Sequence, residues 1–215
     1  MTRLRTFLLW LCSTLAIVWS GAVQARENVV EVPVLAMIQA NDRGVFEVMI
    51  MRWDRQPTPD PIAMRWGGGR VNFVGAYLKA LKTAFTYAVE RTPSIRATGT
   101  LTLHGVAYAA TSSDGPSAGA VMTVGFLAVL RGEAIQRGIA MTGTIEPGGR
   151  VGPVGGIPDK IRAAAREGYR TVLIPQGQLA DPRWNLGSLA LELNMTVKEV
   201  GTIDEAYELM TGRRL

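Results

Sequence analysis

Asp114-Gly115-Pro116-Ser117-Ala118-Gly119 is the stretch from which the rest of the chain is read. A serine stands among small residues, directly after a proline of the kind that opens a helix. The apolar run from Pro116 through Leu130 continues that helix. A serine so placed is exposed and approachable. Backbone N–H groups at the helix start can bind a developing oxyanion. The plainer alternative is a serine that only caps a helix. Local sequence leaves both readings open.

Gly115-Pro116-Ser117-Ala118-Gly119 also fits the Gly-x-Ser-x-Gly elbow of α/β-hydrolases. That fold needs a histidine after the serine, and the only histidine, His104, precedes it. A His-Asp-Ser order is formally present as His104, Asp114 and Ser117. All three would share one strand and one loop, a poor geometry for a triad. A serine without a histidine needs another base, and a lysine of lowered pKa can serve. No Ser-x-x-Lys occurs. Lys160 is the better candidate, in the first turn of a helix predicted over Pro158–Glu167. A helix N-terminus disfavours its positive charge, and burial adds to that. The ordinary fate of such a lysine is an exposed position on an amphipathic helix.

Outward from this centre, the pattern alternates strands and helices without strict order. Residues 28–38 are β-branched and apolar and predict a strand, with Pro33 suggesting an edge or a bulge. Val45–Trp53 predicts a second strand, Asp54–Pro61 a proline-rich loop, and Gly67-Gly68-Gly69 a turn. Apolar spacing predicts a helix over Asn72–Thr92, capped by Asn72 and apolar at Val74, Leu78, Leu81, Phe85 and Ala88. Thr100–His104 alternates as a half-buried strand, and Ala107–Asp114 reads as a loop. Ile139–Ile145 and Tyr169–Pro175 predict strands, with tight turns over Pro147–Gly156. Gly168 is placed to end the Pro158–Glu167 helix. Thr202 with Glu205 forms a capping box before a last helix. The sum is a mixed α+β domain without internal repeats.

Composition narrows the chemistry. The chain has 215 residues with one His and one Cys, too few for a zinc site of the usual Cys/His type. There is no Gly-Lys dipeptide, hence no phosphate-binding P-loop, and no His-Glu-x-x-His. No cofactor or metal is expected. Arg3 and Arg5, the apolar run Phe7–Trp19 and Val23-Gln24-Ala25 form the three-part pattern of a secretory signal peptide over residues 1–25. The alternative is a retained membrane anchor, for which the run is short. Cys12 lies too early, and behind too large a residue, for lipidation. Cleavage after Ala25 would leave residues 26–215 without cysteine, which suits an oxidising compartment, periplasmic or extracellular. It would also lower the formal net charge from +5 to +3, too little to argue for nucleic acid.

Asp114-Gly115-Pro116-Ser117-Ala118-Gly119 is followed by Met141-Thr142-Gly143, by Val154-Gly155-Gly156 with Lys160, and by Val172-Leu173-Ile174-Pro175. Together these resemble the proteolytic domain of Lon proteases, from about Val32 to the closing helix. In that family the serine is the nucleophile and a lysine 43 residues later the general base, the separation of Ser117 from Lys160. The resemblance implies an α+β fold of the ribosomal protein S5 domain 2-like type. It implies a serine endopeptidase with a Ser117–Lys160 dyad, Thr142 holding the lysine, and an oxyanion hole of backbone N–H groups near Asp114 and Ser117. Gly115 and Pro116 shape that turn. Ser113 replaces the family's usual lysine and Thr144 its usual glutamate, which bears on the substrate groove. The family's ATPase module has no counterpart in this sequence. The expectation is therefore ATP-independent cleavage of unfolded or extended polypeptides, with a hexameric ring implied by the resemblance. The alternatives are a non-catalytic Lon-like domain that binds peptides or a partner, and another serine acyl hydrolase.

Overall fold

Two long strands built from alternating apolar residues set the frame. β1 (Glu27–Ile38) and β2 (Arg43–Asp54) pair antiparallel without a break from Glu27↔Asp54 to Ile38↔Arg43. Successive side chains on a strand point to opposite faces. Val30, Val32 and Val34 therefore share one face with Met49, Met51 and Trp53, all buried. Leu35 and Phe46 lie on the other face. The computed structural model describes residues 27–38, 43–69, 71–73, 75–108, 111–113 and 115–215. The signal segment expected at residues 1–25 and Asp114 lie outside the described residues.

The remaining strands are β3 (Ala63–Gly69), β4 (Val71–Phe73), β5 (Thr100–Val106), β6 (Thr111–Ser113), β7 (Ile139–Met141), β8 (Thr144–Glu146), β9 (Arg150–Gly152), β10 (Thr171–Pro175) and β11 (Thr196–Val200). The helices are α1 (Gly75–Arg91), α2 (Gly119–Arg131), α3 (Ile157–Arg166), α4 (Leu186–Glu192) and α5 (Ile203–Thr211). The main sheet has seven strands in the order β11-β10-β7-β1-β2-β5-β3. From β11 to β1 the pairings are parallel, β1-β2 and β2-β5 are antiparallel, and β5-β3 is parallel. The pairs β4-β6 and β8-β9 stand apart from it. Helices cover both faces. α1, α2 and α5 pack on the Val32–Met51 face, and α3 and α4 on the Leu35 face. This is the mixed α+β architecture expected from the sequence.

α2 is the core helix. Every residue from Gly119 to Leu130 is buried, and a helix apolar all round belongs inside a domain. Gly125 lets it approach the sheet, because a Cβ there would lie 2.4 Å from Val32 Cγ2. Gly132, with φ of 68°, ends it in the left-handed region.

Several sequence expectations are corrected. Pro33 is in a central strand with unbroken β1-β2 register, not at an edge or bulge. The other flank of β1 is paired with β7 at Val34↔Met141, so the ladder there is short. Gly67-Gly68-Gly69 is the end of β3 rather than a turn. A Cβ on Gly67 would lie 2.1 Å from the His104 ring, and one on Gly69 2.0 Å from the Gly105 carbonyl oxygen. Only glycine lets β3 lie that close to β5. Asn72 does not cap α1. It belongs to β4, which pairs with β6 in the region expected to be loop, and α1 starts at Gly75. Leu78 is 40% exposed, and Tyr77, Leu81, Ala84 and Ala88 form the buried face instead. Ile139–Ile145 is divided into β7 and β8 by Thr142 and Gly143.

Candidate active site

Pro116, Ser117 and Ala118 form a single 3₁₀ turn that leads directly into α2. Gly115 precedes it with φ of 151° and ψ of 150°, and a Cβ there would meet nothing, so backbone conformation and not space favours glycine. Ala118 is buried beneath the turn and Pro116 is exposed, leaving Ser117 half-buried at the surface.

The break between β7 and β8 holds this turn in place. The Gly143 N–H donates to the Ser117 carbonyl at 2.8 Å, and the Ala120 N–H donates to the Gly143 carbonyl at 3.0 Å. The Thr142 hydroxyl donates to the same Ser117 carbonyl at 3.2 Å. The Thr142 N–H donates to the Leu173 carbonyl of β10 at 3.1 Å. Glycine at 143 is a packing requirement, since a Cβ would lie 2.5 Å from Val151 Cγ1 and 3.3 Å from the Ala120 Cβ.

Lys160 reaches this junction from α3. It is 1% exposed, and its Nζ donates to Thr142 Oγ1 at 3.0 Å. One threonine hydroxyl thus touches both the lysine amine and the backbone of the serine. Burial pushes the amine down from the ordinary lysine value of 10.5 to about 8, because an ammonium loses its hydration there. α3 is fixed at its start by Gly156, with φ of 65°, and by the Lys160 N–H bond to the Gly156 carbonyl at 3.1 Å. Its outer residues Asp159 and Arg162 pair at 3.3 Å in solvent.

The sequence candidates separate clearly. Ser117, Thr142 and Lys160 come together with Gly115 and Pro116 at one junction of sheet and helix ends. His104 lies on β5, opposite Ile50 and against Gly67. Three features had no sequence signal. Gln178 is buried and bonds both backbone groups of Val154. Gly44 of β2 lets the first turn of α3 sit against it, for a Cβ would lie 2.0 Å from the Asp159 carbonyl oxygen. Glu47 is 2% exposed on the core face of β2, and after burial its charge is the second influence that raises the Tyr77 phenol. Among the described residues no three His, Cys, Asp or Glu side chains gather as a metal site.

The structure thus sets a buried lysine amine of lowered pKa against a threonine hydroxyl that also bonds the backbone of a serine turn at a helix start. Residues 76–210 match the Lon protease (S16) C-terminal proteolytic domain, and the chain belongs to that family. It is 35% identical to Lon protease of Chloroflexus aurantiacus over 139 residues, 61% of this chain and 16% of that protein. It is 38% identical to Lon protease 2 of Syntrophobacter fumaroxidans over 102 residues, 46% of this chain and 12% of that one. With Lon protease of Haemophilus influenzae the identity is 40% over 98 residues, again 12% of the relative. The chain spans a small fraction of the length of these relatives.

Proposed function

We propose that this chain is a serine endopeptidase with Ser117 as nucleophile and Lys160 as general base. The observation that carries the reading is the buried Lys160 amine bonded to Thr142, whose hydroxyl also bonds the Ser117 backbone. With the amine neutral, Ser117 Oγ attacks the scissile carbonyl carbon as its proton passes to Lys160 Nζ. The negative oxygen that forms is bound by N–H groups at the start of the serine turn, where a helix leaves its first donors without internal partners. The C–N bond then breaks and Lys160 gives the proton to the leaving amine. Water attacks the acyl-serine ester, Lys160 takes its proton, and Ser117 recovers one as the acid leaves. Asp114 and Gly115 are assigned to shaping the oxyanion site and Pro116 to opening the turn.

The proposed chemistry uses no nucleotide, metal or cofactor, so ATP leaves the rate unchanged. Unfolded or extended polypeptides are the proposed substrates, because a backbone must reach a half-buried serine. Arg3, Arg5, Phe7–Trp19 and Val23-Gln24-Ala25 support export to the periplasm or beyond, with membrane attachment if that segment is retained. Family membership supports a hexameric ring, which sedimentation velocity on residues 26–215 tests.

The deciding experiment is cleavage of a mixed peptide library by residues 26–215 without nucleotide, read by mass spectrometry beside Ser117→Ala. Cleavage only with Ser117 intact is expected. Lys160→Arg is expected to be inactive yet folded, since a guanidinium stays protonated. No cleavage by a folded wild-type chain would favour a peptide-binding, non-catalytic domain.

A further inference from the structure

We propose that Gln178 is a positioning residue for the Ser117–Lys160 pair. Its side-chain amide clamps Val154 and so sets the turn from which α3 delivers Lys160. This rests on the reading of Lys160 as the base.

Gln178 is 7% exposed, unusual for an amide in a loop. The Val154 N–H donates to its Oε1 at 3.0 Å, and its Nε2 donates to the Val154 carbonyl at 2.9 Å. One side chain thus satisfies both backbone groups of one residue, much as a paired strand would. Gln178 is itself tied to the end of β10, where its N–H donates to the Pro175 carbonyl at 3.3 Å. Val154 leads through Gly155 and the left-handed Gly156 into α3. β10 also fixes Thr142, through the Leu173 carbonyl. Both partners of the Lys160–Thr142 bond are therefore referenced to one strand. Thr142 is held through Leu173, and Lys160 is held through Gln178 and Val154. Without the clamp, the turn loses its tie to that strand.

Burial is what lowers the Lys160 amine, and no charged group contributes. Against α3, β10 carries no titratable side chain, β1 carries Glu27 and Glu31, and β2 carries Arg43, Glu47, Arg52 and Asp54. On α3 itself Asp159 and Arg162 pair with each other, and Arg166 donates to the Gly44 carbonyl of β2. A loosened turn admits water to the amine and moves its titration back toward that of an ordinary lysine.

The test is Gln178→Met, which keeps volume and removes both bonds, with Gln178→Ala as a second variant and the exposed Gln176→Ala as control. The chain has four lysines, so ¹³C-lysine NMR can follow Lys160, assigned through Lys160→Arg, without needing turnover. The Lys160 midpoint is expected to rise by about one unit in Gln178→Met, with kcat at pH 7 down about tenfold and KM within about twofold. Activity should recover toward wild type near pH 10. An unchanged midpoint, or an equal loss at every pH, overturns the clamp. A wild-type Lys160 that titrates as an ordinary lysine, or full activity in Lys160→Arg, would instead overturn the base assignment.

Discussion

Lys160, the proposed base, shows how a buried ionisable residue can work against stability. Its amine is held at about 8 against 10.5 in the unfolded chain, so folding is penalised while the amine is charged in both states. A lowered lysine pKa means the unfolded state binds more protons between those two values. Stability therefore rises with pH across that window, and the full penalty of about 3 kcal/mol applies below it. Lys160→Met removes the charge at similar length. It is expected to be inactive, and more stable than wild type at pH 7 by part of that penalty. The excess should shrink between pH 8 and pH 10.5, as urea midpoints at pH 7 and pH 10 would show. A constant difference across pH would mean that the amine is not desolvated. With Lys160 as the proposed base, activity is expected to rise with pH through about 8 as the amine loses its proton, which a pH–rate profile checks. Thr142→Val tests the hydroxyl that joins both partners. It keeps shape, leaves the buried amine and the Ser117 carbonyl each short of a partner, and should lower kcat by at least tenfold with little change in KM.

At the scale of elements, α3 is the part that must be placed most accurately, and its position depends on β2. The close approach of Asp159 to Gly44 is reinforced by Arg166 Nη2, which donates to the Gly44 carbonyl at 2.9 Å. A Cβ at position 44 would meet backbone, which cannot turn aside. Gly44→Ala should push the first turn of α3 outward, destabilise the fold by about 1–3 kcal/mol and reduce kcat more than KM. Full activity would show that α3 tolerates a different seat. α3 itself was readable in sequence to within one residue, because Pro158, Gly168 and the apolar spacing all agree. The α5 start was readable as well. Thr202 accepts from the Glu205 N–H at 3.2 Å, and Glu205 reaches back to the Gly201 N–H at 2.9 Å. The α1 start was not, because the capping signal at Asn72 is overridden by the pairing of β4 with β6. α4 and β11 carried weak signals. α4 has seven residues with Leu191 84% exposed, and Lys198 and Glu199 break the apolar pattern of β11.

Over the whole molecule, topology was the least readable property, and the residues gathered at the candidate site were the most readable. Ser117, Thr142 and Lys160 stand in short motifs whose order and spacing carry their own evidence. Strand order depends on pairings between distant segments, such as Val34↔Met141, and no local pattern encodes them. Gly44 and Gln178 matter only once β2, α3 and β10 have met, so neither could be picked out beforehand. α2 links the two scales, since it forms the centre of the larger core and begins at the serine turn. Phe126, wholly buried, meets Phe85 edge-on at 5.3 Å between ring centres, two turns beyond Gly119. Phe126→Ala should cost about 3–5 kcal/mol, a large share of the ~5–15 kcal/mol typical of a domain. The exposed Leu191→Ala should stay within about 0.5 kcal/mol. Phe126 lies roughly 10 Å along the helix from the turn. Folded Phe126→Ala protein at low temperature should therefore keep kcat within a few-fold, while its urea midpoint falls at constant slope. A loss of kcat without a fall in midpoint would show that packing along α2 sets the serine geometry directly, so that core and active site could not be varied apart.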